Sequence, residues 1–257
     1  MQNLNYEMQG LTWRARKKNQ QDAILIKNKV IYEKGRYSSL DVCTDNSPWC
    51  VAVADGISSQ PNSHKAAIAV LSTVNKYHQE NIENIKLTDV QHALYTELNS
   101  KSVLDAATTM ALIRHRSEDK NDQVSVQFLG DSRVYYFSHQ LQTWTPLTKD
   151  DNFFNEMNLS DLDQQQELAS MYYVLTGYFC ANSLHEVNEK TPLTHQMKAN
   201  DVLMVCTDGV FDAVPHKEWP LIQSDQSLKQ WLENFVEIMT PTAGDNISLV
   251  LVRAVES

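Results

Sequence analysis

Apolar residues along this chain gather into short runs that stop on a carboxylate beside a glycine. Val51-Ala52-Val53-Ala54 ends on Asp55-Gly56, Leu203 to Thr207 ends on Asp208-Gly209, and Val124 to Leu129 ends on Gly130-Asp131. A fourth copy is reversed, with Gly244-Asp245-Asn246 preceding the apolar run Ile247 to Val252. Runs this short, rich in valine and bounded by Gly and Asp, predict buried strands. Asp-Gly is also ordinary turn chemistry after a strand, and one copy alone says no more than that. Four copies, each attached to a core-grade strand, place four carboxylates at sheet edges where they can converge. Oxygen-only clusters of this kind hold hard cations.

The rest of the pattern fills in around these runs. Ala23 to Ile26 predicts another strand, and residues 27–49, with Gly35, Ser38, Ser39 and Pro48, read as a loop holding one irregular strand. Beyond Asp55 a turn leads to Ser63 as the N-cap of a helix, with Ala67, Val70, Leu71, Val74 and Tyr77 on its core face. A second helix is predicted over about Thr88 to Asn99. Thr108 to Ile113, Gln123 to Leu129 and Arg133 to Ser138 are β-rich and closely linked, which predicts an antiparallel meander. Residues 148–186, with the polar run Asp161 to Gln166, read as a helical, mobile insertion. Leu228, Trp231, Leu232, Phe235 and Ile238 mark an amphipathic helix before the closing strand. No repeat, low-complexity stretch or linker divides the chain, so 1–257 reads as one domain.

Composition narrows the chemistry. The 257 residues are 42% hydrophobic and 21% charged, ordinary values for a folded domain. A net charge of −10 argues against a nucleic-acid-binding surface and is compatible with carboxylate metal ligands. Met1 to Gln20 hold no apolar run, so no secretory signal is expected, and no stretch is long enough to span a membrane. Cys43, Cys50, Cys180 and Cys206 show no Cys-x-x-Cys spacing, and Cys50 and Cys206 sit inside strand-like runs as small hydrophobes. The expectation is a soluble cytoplasmic protein. One basic cluster, Arg14-Ala15-Arg16-Lys17-Lys18, precedes the Ala23 strand. Such a cluster is ordinarily solvated surface, but here it is also an anion-binding candidate. Strand-end carboxylates with a nearby cation suggest magnesium or manganese rather than zinc, and hence a metal-dependent phosphoryl hydrolase.

Val-Ala-Asp-Gly at 53–56, Ala-Thr-Thr at 107–109, Gly-Asp-Ser-Arg at 130–133, Thr-Asp-Gly at 207–209 and Gly-Asp-Asn at 244–246 follow one another in a familiar order. The set resembles the motifs of the metal-dependent serine/threonine protein phosphatases of the 2C type, from about Arg16 to Val252. The resemblance implies an α+β fold, an α-β-β-α sandwich of two face-to-face, mainly antiparallel sheets flanked by helices. It implies two or three Mn²⁺ or Mg²⁺ ions. Asp55 would bridge two metals and Gly56 would offer its carbonyl. Asp208 and Asp245 would complete the first shell, and Asp131 would serve a third, looser ion shared with Asp208. Asp22 would hold metal-bound water, and residues 150–185 would form a flap.

The departures from that pattern matter. Where the family has an arginine five residues before the first Asp, this chain has Lys17, with Arg16 adjacent as the other phosphate-binding candidate; lysine lacks the bidentate fork. Gln21 replaces the usual acid, and Ile57-Ser58-Ser59 replaces a glycine-rich or His-bearing loop. His64 reads as a helix-start surface residue, and Ser132 and Thr207 as structural rather than nucleophilic. The resemblance implies a monomeric phosphatase acting on phosphorylated proteins opposite a Ser/Thr kinase. A pseudophosphatase kept as a binding module is the alternative, and a small-molecule phosphohydrolase is a third option.

Overall fold

The computed structural model describes residues 4–32, 38–44, 47–116, 122–157 and 174–256. The first half of the chain runs β1 (Leu4–Trp13), β2 (Ala23–Ile26), β3 (Lys29–Ile31), β4 (Ser38–Thr44), β5 (Trp49–Ala54), α1 (Ser63–Gln79) and α2 (Leu87–Ser100). Next come β6 (Ala107–Thr108), β7 (Met110–His115), β8 (Gln123–Leu129), β9 (Arg133–Ser138), β10 (Thr143–Pro146) and α3 (Phe153–Glu156). The chain ends with β11 (Phe179–Cys180), β12 (Leu193–Gln196), β13 (Val202–Cys206), α4 (Asp208–Ala213), α5 (Leu228–Met239) and β14 (Ile247–Glu256).

Two six-stranded antiparallel sheets result, ordered β12-β8-β7-β5-β2-β3 and β10-β9-β13-β14-β1-β4; β6 pairs with β11 beside them. Strand alternation builds three layers of core. Val51 and Val53 of β5, Ile24 and Ile26 of β2, and Val250 and Val252 of β14 meet between the sheets. The opposite faces turn outward: Ala52 and Ala54 pack under α1 and α2, while Leu249 and Leu251 pack under α5. The arrangement is the expected α-β-β-α sandwich. No helix among the described residues is long and apolar enough to cross a membrane.

The structure departs from the sequence pattern in several places. β1 is not among the strands the pattern predicts, yet it pairs with both β14 and β4 at the heart of its sheet. Residues 27–49 contain two strands rather than one, β3 and β4. The meander is broken: β7 and β8 pair, but β9 lies in the other sheet, against β13. The chain changes sheets at Gly130, whose φ of 108° belongs to glycine's territory. Ser63 is not the N-cap of α1; that position is Asn62, and Ser63 instead donates its hydroxyl to the carbonyls of Ile57 and Gln60. On α5, Met239 is buried, whereas Ile238 is 46% exposed. Of the expected insertion at 148–186, the described residues include α3 and β11, and its polar run Asp161 to Gln166 lies outside them.

Candidate active site

The predicted carboxylates come from both sheets and meet at one end of the sandwich. Asp22 precedes β2 and Asp55 follows β5, in one sheet; Asp208 follows β13 and Asp245 lies two residues before β14, in the other. Asp131 sits on the link that crosses between them. Asp55 and Asp208 are in direct contact, their carboxyls sharing a hydrogen bond. Burial pushes the Asp55 carboxyl well above the usual carboxylate range, and the charges of Asp22, Asp208 and Asp131 push it further. Burial likewise raises Asp208. Asp22 and Asp131 are each pushed up to about 7, first by desolvation and then by the charge of Asp208. Five acids crowded into so small a volume repel one another unless protonated or given a cation.

Local structure fixes each of them. The Asp55 carbonyl accepts from the Thr108 hydroxyl at 2.7 Å and the Thr109 amide at 2.9 Å, so the β5 edge is tied to the Ala-Thr-Thr segment. Asp208 begins α4 instead of ending in a bare turn. A Cβ on Gly209 would stand 1.9 Å from the Asn246 carbonyl oxygen, so only glycine lets the Asp208 and Asp245 segments approach this closely. Asp22 is 1% exposed, and its Oδ2 accepts from the Thr207 hydroxyl at 3.0 Å. Its other oxygen is buried with no hydrogen-bond partner among the described residues. Ser132 hydrogen-bonds Thr109 at 2.8 Å.

The basic cluster divides. Lys17 reaches inward and places its ammonium 2.7 Å from Asp245, which raises the lysine pKa. Arg16 is directed elsewhere, donating to the Pro241 carbonyl at 2.8 Å just beyond α5. His64 stacks on Tyr32 with ring centroids 5.4 Å apart.

Three residues carry parts that the sequence reading did not assign. Asn246 accepts from the Gln21 amide at 2.8 Å and donates to the carbonyls of Arg14 and Asn19 at 3.0 and 3.1 Å, stapling the basic loop to the Asp245 segment. Its only signal was its place in the Gly-Asp-Asn motif. Arg133 forms a two-pronged pair with Asp150, both contacts 2.7 Å, and lies 3.8 Å over the Phe211 ring of α4. Asp151 closes the same corner, accepting from the Gly130 amide and pairing with Lys190.

The residues suit a hard divalent cation. Every side chain in the cluster offers oxygen, the acids carry more negative charge than their burial favours, and Asp22 presents an oxygen with no partner. Among the described residues no three of these side chains stand as a finished ligand set. Four of the carboxylates instead lean on protein partners: Asp245 on Lys17, Asp22 on Thr207, and Asp208 and Asp55 on each other.

Comparison with known proteins places this arrangement. The chain is similar in fold to the serine/threonine phosphatase of S. agalactiae (TM-score 0.67, 19% identity, 98% of this chain and 100% of that one covered). It is likewise similar to Stp1 of Staphylococcus aureus (0.71, 16%, 96% and 94%). The catalytic domain of PstP, a structure containing two manganese ions, matches at a TM-score of 0.67 and 17% identity, over 98% of this chain and 100% of that one. Identities this low speak for the fold alone. No curated protein sequence matches. Residues 38–251 match the family model described as protein phosphatase 2C, and with that span covering most of the sequence the chain belongs to the protein phosphatase 2C family.

Proposed function

We propose that the chain is a metal-dependent phosphatase that removes phosphate from serine and threonine of protein substrates. The observation that carries this reading is the meeting of Asp55 with Asp208, Asp22, Asp131 and Asp245 across the sheet edges. Asp55, the Gly56 carbonyl, Asp208 and Asp245 would hold two divalent cations, with Asp131 and Asp208 offering a third position. Such cations would acidify a water for in-line attack on phosphorus and neutralise charge on the phosphoryl oxygens. Asp22, fixed by Thr207, keeps one oxygen free to accept a proton from water. Lys17, which here pairs with Asp245, would supply a charge-assisted contact to the substrate phosphate. The opposing activity would be a separate Ser/Thr kinase.

The test pairs calorimetric Mn²⁺ titration with turnover of a phosphothreonine peptide. Asp55→Asn is expected to abolish turnover with the fold retained, because a charge shared by two ions is lost. Lys17→Ala should lower kcat/KM about 10- to 100-fold, the worth of about 1.5–3 kcal/mol for a charged hydrogen bond. Wild-type-like turnover in Asp55→Asn overturns the reading. A wild-type protein that binds no Mn²⁺ and hydrolyses nothing identifies a binding module with the same fold.

A further inference from the structure

Beside the carboxylates lies a cavity of about 510 Å³ between the basic loop and the turn that follows Gly56. Its lining carries two cations, Arg14 and Lys18, and no carboxylate among the described residues. In a chain with 32 acidic and 22 basic residues that is an exceptional surface. Neither cation forms an ion pair among the described residues. The Arg14 guanidinium is half-spent, with Nη1 donating to the Lys18 carbonyl at 3.1 Å. Its Nε is buried with no hydrogen-bond partner among the described residues. The stacked rings of Tyr32 and His64 supply a flat wall.

The cavity shares a wall with the candidate metal centre. Gln21 and Ser63 both line it, and both touch the Asp55-Gly56 turn: a Cβ on Gly56 would stand 2.7 Å from the Gln21 carbonyl oxygen and 2.9 Å from Ser63. Successive residues of the loop therefore divide the work, Lys17 facing Asp245 and Lys18 facing the cavity. Two cations that form no ion pair among the described residues, on a wall without a carboxylate, favour an anion. A substrate whose phosphate sits at the carboxylates carries its neighbouring side chains to this wall.

We propose that this cavity is a second anion subsite that takes an acidic or phosphorylated side chain flanking the residue being dephosphorylated. The inference rests on the phosphatase reading and names the class of peptide it serves. Three phosphothreonine peptides test it on the full chain with Mn²⁺. They are identical except that the flanking positions carry Gln, Glu or a non-hydrolysable phosphonate analogue of phosphoserine; p-nitrophenyl phosphate is assayed beside them. The wild type is expected to show kcat/KM about tenfold higher for the Glu or phosphonate peptide than for the Gln peptide. Lys18→Glu, at an exposed position, should bring that ratio to one or below, and Arg14→Gln should lower it. Preference for only one of the two anions supports the subsite and identifies its ligand. Equal kcat/KM for all three peptides, with p-nitrophenyl phosphate turned over, overturns the subsite and leaves the phosphatase reading in place. A preference that survives Lys18→Glu and Arg14→Gln unchanged also overturns it. No turnover of any substrate overturns both.

Discussion

The two sheets each bring carboxylates to the same cleft, yet they are backed by very different layers. Behind β5 and β2, which carry Asp55 and Asp22, the packing is small and fine-grained: Ala66, Ala67 and Ala69 of α1 lie over Ala52 and Ala54. Behind β13 and β14, which carry Asp208 and Asp245, the packing is aromatic. Trp144, Trp219, Trp231 and Phe235 stack in tilted and edge-on pairs 4.8 to 5.8 Å apart. The alanine layer lets a helix approach its sheet closely but buries less apolar surface per residue. It adds polar staples: Arg114 to His78, Gln91 to Cys180 and Gln127 to Ile85. The aromatic layer is held by ring geometry and by its indole N–H groups, Trp144 and Trp231 each donating to the Pro220 carbonyl at 3.2 Å and Trp219 to the Val214 carbonyl at 2.7 Å. The lesson is that one cleft can be positioned by two kinds of packing, alanines with amide and guanidinium staples on one side and rings tied by their indole N–H groups on the other.

The largest break in that comparison is Trp231→Ala. Trp231 is 1% exposed and touches Trp144 and Phe235, so its loss should cost about 3–5 kcal/mol in denaturant unfolding. A cost below about 1 kcal/mol would show that the aromatic layer is not what supports β13 and β14. The alanine side should answer to acid instead. His78 Nδ1 accepts from Arg114 Nε at 3.2 Å while the ring's other nitrogen meets the Pro48 carbonyl, which fixes a neutral imidazole. Burial and the Arg114 charge push its pKa down to about 4, whereas an unfolded histidine titrates near 6.5. The unfolded chain thus takes up the proton first. This contribution to stability is full above pH 6.5 and is lost as pH falls through about 4. Unfolding free energies of wild type and His78→Gln should differ most at neutral pH and converge across that window; parallel curves would reject the assignment. The smallest effect concerns helix starts. On α5 the Ser227 hydroxyl accepts from the Gln230 amide at 3.1 Å, whereas α1 has no side-chain cap and α2 borrows the Glu189 carboxylate from a hundred residues away. Ser227→Ala should cost about 1 kcal/mol, read as a small drop in Tm.

Much of the sandwich is legible in the sequence because buried strands announce themselves. Ala23–Ile26, Gln123–Leu129 and Arg133–Ser138 have the same limits in the pattern and in the structure. β1 escapes because Gln9, Gly10 and Thr12 interrupt its hydrophobicity; the tertiary setting buries all three, and Gly10 makes room for Ile24 and Ile26. The meander fails because a three-residue link carries no sign of which sheet the next strand joins. At the cleft, position along the chain points to four of the acids, since a strand end fixes where an Asp must lie, whereas Asp22 is reached only through the family resemblance. What it cannot convey is the side-chain traffic among them. Arg16 and Lys17 are neighbours of like charge in the sequence, and only packing against Pro241 and Asp245 separates their directions.

The pairing of β1 with β14 matches Leu4 to Glu256 and Trp13 to Ile247, so the first strand described waits for the last. Contacts this distant in sequence are costly to close and form late. On the ribosome, the sheet bearing Asp55 has all its strands by Gln196, while the other stays incomplete until β14 has emerged. Asp245 enters just ahead of that strand. The cleft is therefore assembled only once β14 has emerged, and a nascent chain carries its first two carboxylates long before it can use them.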